Sequence, residues 1–448
     1  MKKILILGAG QSAPFLISYL LEQAKLNDWF VTVCDRDVKL AENSVNNHPN
    51  GKALEFDVND DTQRENQIQN CDVVVNFLAP MFQLLIATEC VKHKKHVVTA
   101  SYENPKVAQL NNEAIEKNIL ILNEMGLDPG IDNMSAMKII IGIRNKGGNV
   151  KSFISYGSAL PAPEVRSNPL NYCITWNPAN VVTAGDAGAQ YLENGQMKIL
   201  PYQQVFNRTW NVDIKDLGRF EAYPNRDSLL YQKIFKLENA ETVIRGTLRN
   251  SGWSETWTQL IKLGVTQGTL LLPDVAELTY RDFSEMYLPQ NISGTKLELR
   301  IANYLGINPT GTIMKNLEFL GLFSDEKIGK NFKNSVELMT DLIKKKLPLP
   351  ENSRDMVILH HEIEASYPTG KNEKIISTLV DYGNPQSKIT AIAKTVGAPA
   401  AIAVKLLLKG ELNLRGCLIP THHEIYPKIL DELQNLDLSF TESIIELS

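Results

Sequence analysis

Three small residues near the N-terminus carry the first chemical signal. Gly8, Gly10 and Ala13 fit the spacing G-x-G-x-x-[G/A], with Gln11 and Ser12 inside it. The first glycine permits a tight turn. The second lets the backbone approach a pyrophosphate, and the small third residue lets helix and strand pack closely. Phosphates would meet the N-terminus of the helix that follows. The spacing alone is a weak signal, but its context strengthens it. A continuous apolar run from Ile4 to Leu7 precedes it, as in a strand buried on both faces. Pro14 to Ala24 follows, with Phe15, Leu16, Tyr19 and Leu20 at helical spacing. Asp35 ends a second apolar run, 25 residues after Gly10. An acid there accepts hydrogen bonds from a ribose 2′-hydroxyl, which leans the reading toward NAD. Arg36, next in the chain, could accommodate a 2′-phosphate and keeps NADP open.

Further candidates fall where apolar strands end. Cys71–Leu78 reads as a buried strand closing on Asn76 and Leu78, and ligands bind at the carboxyl edge of a parallel sheet. The competing reading makes Asn76 the cap of a helix beginning near Pro80. Thr99-Ala100-Ser101-Tyr102 and Glu124–Met134 also begin at strand ends. Gly126, Pro129 and Gly130 fix the second loop, so Asp128 is a placed carboxylate. Later loops carry arginines: Arg166 after Leu160–Glu164, Arg226 in Tyr223–Ser228, and Arg245 and Arg249 around Gly246-Thr247-Leu248. Composition alone reads these as solvated surface charges. No metal site is expected. His360 and His361 would face opposite sides of a strand, and His422-His423-Glu424 is read as structural. The five cysteines are scattered without C-x-x-C, which suits free buried thiols in a reducing compartment.

The positioning elements follow from the pattern. Strands at Trp29–Cys34, His96–Thr99 and Ile119–Asn123 alternate with helices at about 37–46, 82–93 and 104–117. This implies a parallel, doubly wound sheet. Past residue 130 the texture changes. Ser152–Leu160 and Asn171–Thr175 read as strands, Leu297–Phe323 and Lys327–Lys346 as helices. Arg354–Ser366 and Glu373–Tyr382 read as a hairpin. Ser387–Leu408 reads as a long helix, with Gly397–Ala403 packing closely against the first domain. The fold class is therefore α/β. A Rossmann dinucleotide-binding domain spans 1–130, and an inserted α/β substrate domain spans 131–385, with a helical lobe at about 297–346. C-terminal helices over 386–448 complete the first domain, and the substrate cleft would lie between the domains. With 448 residues, 43 % hydrophobic and 22 % charged, the chain is long and apolar enough for two or three buried cores. The net charge of −5, without a basic stripe, argues against nucleic acid; Lys344-Lys345-Lys346 reads as a helix end. No run of about 18 apolar residues is read, so no membrane span is expected, and the short N-terminal apolar run is no signal peptide. The expected compartment is the cytoplasm.

Several longer strings carry a family resemblance. E-M-G-L-D-P-G-I-D-N-M at Glu124–Met134 strongly resembles the glutamate-forming saccharopine dehydrogenases. So do T-A-S-Y (Thr99–Tyr102), L-P-A-P-E (Leu160–Glu164), Y-P-N-R-D-S (Tyr223–Ser228) and R-G-T-L-R (Arg245–Arg249). R-D-M-V-I-L-H-H-E (Arg354–Glu362) and T-V-G-A-P-A-A-I-A (Thr395–Ala403) belong to the same pattern, in the expected order along nearly the whole chain. The resemblance implies an oxidoreductase acting on a CH–NH group. It would interconvert saccharopine with L-glutamate and α-aminoadipate semialdehyde, using NAD or NADP, in lysine metabolism. It implies substrate contacts at Ser101, Tyr102, Asp128, Arg226, Thr247, Leu248 and Arg249. Arg226 and Arg249 would clamp carboxylates, with Arg245 and Arg166 as weaker candidates. Cofactor contacts would be Gly8, Gly10, Gln11, Ser12, Ala13, Asp35, Arg36, Asp57, Val58, Asn76, Leu78, Ala100, Leu127 and Pro129. Asp128 is the candidate catalytic proton carrier, although a purely binding role suits it better.

Three positions depart from the pattern. Asn133 stands where His is usual, and an Asn side chain does not titrate near neutral pH. Tyr156-Gly157-Ser158-Ala159 lacks the usual Cys-Gly-Gly, and Asn177 interrupts Trp-Ser-Pro. A related carboxynorspermidine-type dehydrogenase and a non-catalytic NAD(P)-sensing protein therefore stay open. The expected partners are small molecules, neither nucleic acid nor membrane, with a homodimer left open.

Overall fold

A computed structural model describes residues 1–165 and 168–447, so Arg166 lies outside the described residues. The chain divides into two compact units. The first comprises Met1–Asn149, Ser366–Lys371 and Ser377–Ile444, and the second Val150–Ala365, Asn372–Ile376 and Ile445–Ser448.

The first unit is built on a parallel sheet. Its strands are β1 (Lys2–Leu7), β2 (Trp29–Asp35), β3 (Gly51–Glu55), β4 (Val73–Asn76), β5 (His96–Thr99), β6 (Leu120–Leu122) and, from far along the chain, β16 (Gly416–Leu418). The order is β16-β6-β5-β4-β1-β2-β3. Central strands are apolar on both faces because helices cover both: Ile4 to Leu7 and Val73 to Val75 are all buried. The helix Pro14–Asn27 begins on proline, which suits a first turn that needs no N–H there. It buries Leu16, Ile17, Leu20 and Ala24. The long helix Ala391–Leu408 packs on it, and a Cβ added at Gly397 would lie 2.9 Å from the Leu16 nitrogen. Only a residue without a side chain lets the two backbones approach so closely.

The long helix also corrects an expectation. It is 18 residues long with mean hydropathy 1.6, enough by length and composition to cross a membrane, where no such run was expected. Yet 83 % of it is buried inside the protein, as in a core helix. Other elements also differ from expectation. Strand β3 and the helix Asp61–Gln69 occupy a stretch whose pattern predicts neither. Asn171–Thr175 is not a strand; Ile174 makes only an isolated bridge to Pro348. The first unit is closed by a strand, β16, as well as by C-terminal helices.

The second unit carries β7 (Asn149–Pro161), β8 (Ala189–Glu193), β9 (Gln196–Leu200), β10 (Trp210–Ile214), β11 (Gly218–Pro224), β12 (Arg226–Asp227), β13 (Thr242–Arg249) and β14 (Asp355–Ser366). With β15 (Asn372–Tyr382) and β17 (Thr441–Leu447) they form a mixed ten-stranded sheet, whose main path is β10-β11-β13-β7-β14-β15-β17. The β14–β15 hairpin stands as read. Helices Leu297–Leu305, Thr312–Phe319 and Ser335–Lys346 fall in the predicted helical stretch, and the last ends on Lys344-Lys345-Lys346.

Candidate active site

The glycine loop has the geometry its spacing demands. Gly8 has φ +102°, and a Cβ there would lie 2.9 Å from the Phe77 carbonyl oxygen. A side chain is thus excluded twice, by conformation and by space. Gly10 is different. A Cβ there would meet no protein atom within 4 Å, so nothing inside the chain requires glycine at that point. Room above the backbone there suits a pyrophosphate. Ala13 is buried and its N–H donates to Gly10 O at 3.0 Å, while no side chain caps the helix that follows. Gln11 is exposed and Ser12 half-buried on the same loop. These residues fit a dinucleotide.

Asp35 ends β2, but its carboxylate is already engaged. Oδ2 accepts the Ala9 N–H at 2.8 Å, and Oδ1 accepts the Asp37 N–H at 2.9 Å. The first bond shapes the glycine loop itself, so Asp35 has a structural part here whichever cofactor binds. Arg36 beside it is exposed. Beyond β3, Asp57 accepts the Asn59 amide at 2.9 Å, which holds its carboxyl below the usual range. Val58 is buried, and its carbonyl accepts Arg64 Nη1 at 2.7 Å. Asn76 Oδ1 accepts the Leu78 N–H at 3.2 Å, and the helix Gln83–Lys92 has no side-chain cap. Asn76 therefore shapes its own turn rather than capping that helix.

Two loops at neighbouring strand ends meet around Tyr102 and Asp128. The Met125 N–H donates to Thr99 O at 2.9 Å, and the Glu124 N–H to Ser101 O at 3.0 Å. Ala100, Ser101 and Tyr102 are half-buried. The Asp128 loop is closed on itself: Gly126 N–H donates to Pro129 O at 3.1 Å and Ile131 N–H to Gly126 O at 2.9 Å. A Cβ at Gly130 would lie 2.0 Å from Gly126 O, so only glycine fits. Leu127 and Pro129 are buried, and Asp128 between them is half-buried. The Tyr102 hydroxyl donates to Asp128 Oδ1 at 3.0 Å. A phenol bonded to a carboxylate can pass or hold a proton on a bound ligand.

In the second unit, β13 sets Arg245, Thr247 and Arg249 on one face by its two-residue period. Arg249 is 4 % exposed. Its guanidinium carbon lies 4.9 Å from the Trp253 ring, 5.2 Å from Tyr172 and 5.8 Å from Tyr223. Tyr223 and Trp253 stack at 5.8 Å, and Trp253 and Trp257 at 4.2 Å. Nη1 donates to Leu248 O at 2.9 Å, whereas Nε has no hydrogen-bond partner among the described residues. A caged guanidinium with an unused donor is a ready carboxylate receptor. Leu248 is fully buried, and its carbonyl also accepts Ser158 Oγ at 2.7 Å. Thr247 is half-buried. Arg245 is buried against the Tyr231 ring at 4.1 Å, a packed rather than solvated charge. Arg226 is exposed, with φ +55°.

The other candidates are structural. His360 stacks on Tyr156 and His361 on Phe153, with ring centroids 6.1 and 6.2 Å apart. Burial pushes His361 down to about 3, so it is neutral. Four cysteines are buried and Cys417 half-buried, all free. Among the described residues, Glu65, Glu89 and His93 form one group able to hold a metal. Lys92 Nζ already sits 2.7 Å from Glu65 and 3.2 Å from Glu89, filling that role with its own charge. Sequence reasoning missed the cage of Tyr172, Tyr223 and Trp253. Tyr223 did lie in the quoted Tyr223–Ser228 string; the other two came from segments with no shared spacing. It also missed Glu124, whose carboxylate is buried between two loops.

Comparison with known proteins places this geometry. Residues 4–122 match the saccharopine dehydrogenase NADP binding domain, and residues 126–437 the saccharopine dehydrogenase C-terminal domain. The chain is 32 % identical over 453 residues to saccharopine dehydrogenase [NADP(+), L-glutamate-forming] of Schizosaccharomyces pombe, covering all of both chains. The alpha-aminoadipic semialdehyde synthase of Arabidopsis thaliana is 33 % identical over 98 % of this chain and 44 % of its own length. Apo saccharopine dehydrogenase (L-Glu forming) from Saccharomyces cerevisiae superposes with a TM-score of 0.86 at 32 % identity, over 99 % of this chain and 100 % of the other. With both domain models matched in order and full-length relatives above 30 % identity, the chain belongs to the saccharopine dehydrogenase family.

Proposed function

We propose that this protein is an NADP(H)-dependent saccharopine dehydrogenase. It interconverts saccharopine, NADP⁺ and water with L-glutamate, α-aminoadipate semialdehyde, NADPH and a proton. The observation that carries the reading is Arg249. A substrate with three carboxylates needs buried guanidiniums, and Arg249 is buried, caged by three aromatic rings and left with Nε unused. Arg226 serves a second carboxylate from the exposed end of the same motif set. The nicotinamide supplies hydride acceptance and donation when bound. The chain's own residues do the rest. The glycine loop and the uncapped helix behind it bind the pyrophosphate. Arg36, exposed beside the end of β2, takes the 2′-phosphate. Tyr102 and Asp128 hold a proton near the reacting amine, and Ser101 orients the substrate beside them. Imine hydrolysis needs such a proton carrier.

One assay tests the reading. Reduced-nicotinamide absorbance is followed with saccharopine, using NADP and NAD separately. Turnover is expected with NADP, and Arg36→Ala should raise KM for NADP about tenfold or more while leaving NAD kinetics unchanged. No turnover with either cofactor overturns the function. A strong preference for NAD overturns the cofactor assignment alone.

A further inference from the structure

Glu124 is a carboxylate with no place in the reaction as described. It is 3 % exposed, yet it sits directly behind the candidate substrate loops. Its backbone has φ +60°, a conformation that residues with side chains adopt only when their surroundings impose it. Two of the bonds that hold it there fall on its carboxylate. Oε1 accepts the Glu103 N–H at 3.1 Å, and Oε2 accepts Asn133 Nδ2 at 2.9 Å. Glu103 belongs to the loop that carries Ser101 and Tyr102. Asn133 lies in the first turn of the helix Ile131–Asn145, directly after the loop that carries Asp128. The Glu124 N–H adds a third tie, to Ser101 O at 3.0 Å.

A second layer backs the same loop. Gln83 Nε2 donates to Tyr102 O at 3.0 Å and to Asn123 Oδ1 at 3.1 Å, and Asn123 Nδ2 donates toward Cys417 Sγ at 3.2 Å. The Tyr102 backbone is thus fixed on both sides, and its hydroxyl reaches Asp128 Oδ1 at 3.0 Å. That contact spans two loops with no covalent link shorter than 26 residues. Something must hold their spacing, and Glu124 is a group bonded to both sides.

We propose that Glu124 is a positioning residue: its buried carboxylate, shared between the Glu103 amide and Asn133, holds Tyr102 in hydrogen-bonding register with Asp128. The inference rests on the reading of Tyr102 and Asp128 as substrate-facing. Glu124 itself is buried and acts through the two loops that its carboxylate joins. A misplacement of about 1 Å at a reacting pair costs on the order of 100-fold in rate. Two loops tied to each other by one side chain are exposed to a shift of that size when the side chain is removed.

The test uses the full chain with four single variants, Glu124→Ala, Glu124→Gln, Asn133→Ala and Tyr102→Phe, and two double variants that combine Tyr102→Phe with Glu124→Ala or Asn133→Ala. Glu124→Ala should lower kcat/KM for saccharopine about 10- to 100-fold, with NADPH affinity unchanged. Glu124→Gln should recover to within about threefold of the parent. Its oxygen accepts from Glu103, its amide donates to Asn133 once that side chain turns over, and both ties reform without the charge. Asn133→Ala removes one tie only and should lie between them. It carries the test if Glu124→Ala fails to fold. In a Tyr102→Phe background, Glu124→Ala and Asn133→Ala should cost nothing more, because the contact they protect is already gone. Amide exchange at Glu103 should quicken in Glu124→Ala, a readout independent of turnover. Parent kcat/KM in both Glu124→Ala and Asn133→Ala overturns the inference. So do losses that multiply with Tyr102→Phe, or a Glu124→Gln no better than alanine. If Tyr102→Phe itself runs at the parent rate, the reading of the site fails first, and the two failures are told apart.

Discussion

Arg249→Lys separates a shaped receptor from a mere positive charge. Lysine keeps the charge and loses the planar fork, so a carboxylate held by two parallel N–H donors keeps only one. One charge-assisted hydrogen bond is worth about 1.5–3 kcal/mol, or about 10- to 150-fold in kcat/KM. The protein itself loses less. Nη1 makes one bond, to the Leu248 carbonyl, and Ser158 Oγ at 2.7 Å still satisfies that oxygen afterwards. The remaining loss is the stacking on Trp253, Tyr172 and Tyr223, about 1–2 kcal/mol for a desolvated cation. The variant should therefore fold, bind NADPH as the parent does, and lose saccharopine turnover mainly through KM. Initial rates across saccharopine concentrations, with NADPH affinity measured by fluorescence, read both halves. A kcat/KM within twofold of the parent would refute the clamp. An equal loss of NADPH affinity would show that Arg249 serves the fold instead.

Two further predictions concern stability. Gly397→Val should destabilise the first unit by about 1–3 kcal/mol, because its Cβ would press 2.9 Å from the Leu16 nitrogen; an unchanged melting temperature by circular dichroism would contradict that helix contact. His96 is pushed down to about 4 by burial and then by Arg415, and its neutral Nδ1 accepts the Leu120 N–H at 2.9 Å. The unfolded chain takes up this proton below about pH 6.5 while the folded chain refuses it. Stability is therefore full above that pH and is lost as pH falls toward 4, by about 1–2 kcal/mol between pH 7 and 5. His96→Asn keeps an acceptor in place and should flatten that part of the slope in urea titrations at the two pH values; an unchanged slope would exclude His96 as its source.

The legible parts of the fold are those where one residue type answers one physical demand. Gly8 must be glycine because of its φ and of Phe77, and Ile4 to Leu7 must be apolar because both faces are covered. Strand β3 was not legible because it lies at the sheet edge and its residues are at most half-buried. The helix Ile131–Asn145 was hidden for the opposite reason. Ten of its fifteen residues are buried, so it shows no polar face and no period. The candidate site divides in the same way. Asp128 could be found from the glycines and proline that shape its own loop. Its partner Tyr102 sits 26 residues away on a different strand end, and only the sheet order brings them together. The ring cage around Arg249 draws on residues 172, 223 and 253, a set that no local spacing encodes.

Strand β16 bears on how the protein is made. Gly416 pairs with Leu120 at the edge of the first sheet, although it lies 267 residues after the last residue, Asn149, of that unit's opening segment. At about 5–20 residues per second, a ribosome needs roughly 15–50 seconds to cross that distance. Throughout that interval the nascent first unit has β6 as a bare edge, and the groove on the helix Pro14–Asn27 that will receive Ala391–Leu408 stays open. The second unit is meanwhile emerging. The nucleotide-binding half, although translated first, stays incomplete until nearly all of the chain has been made, and its unfinished edge is where chaperones would be most needed.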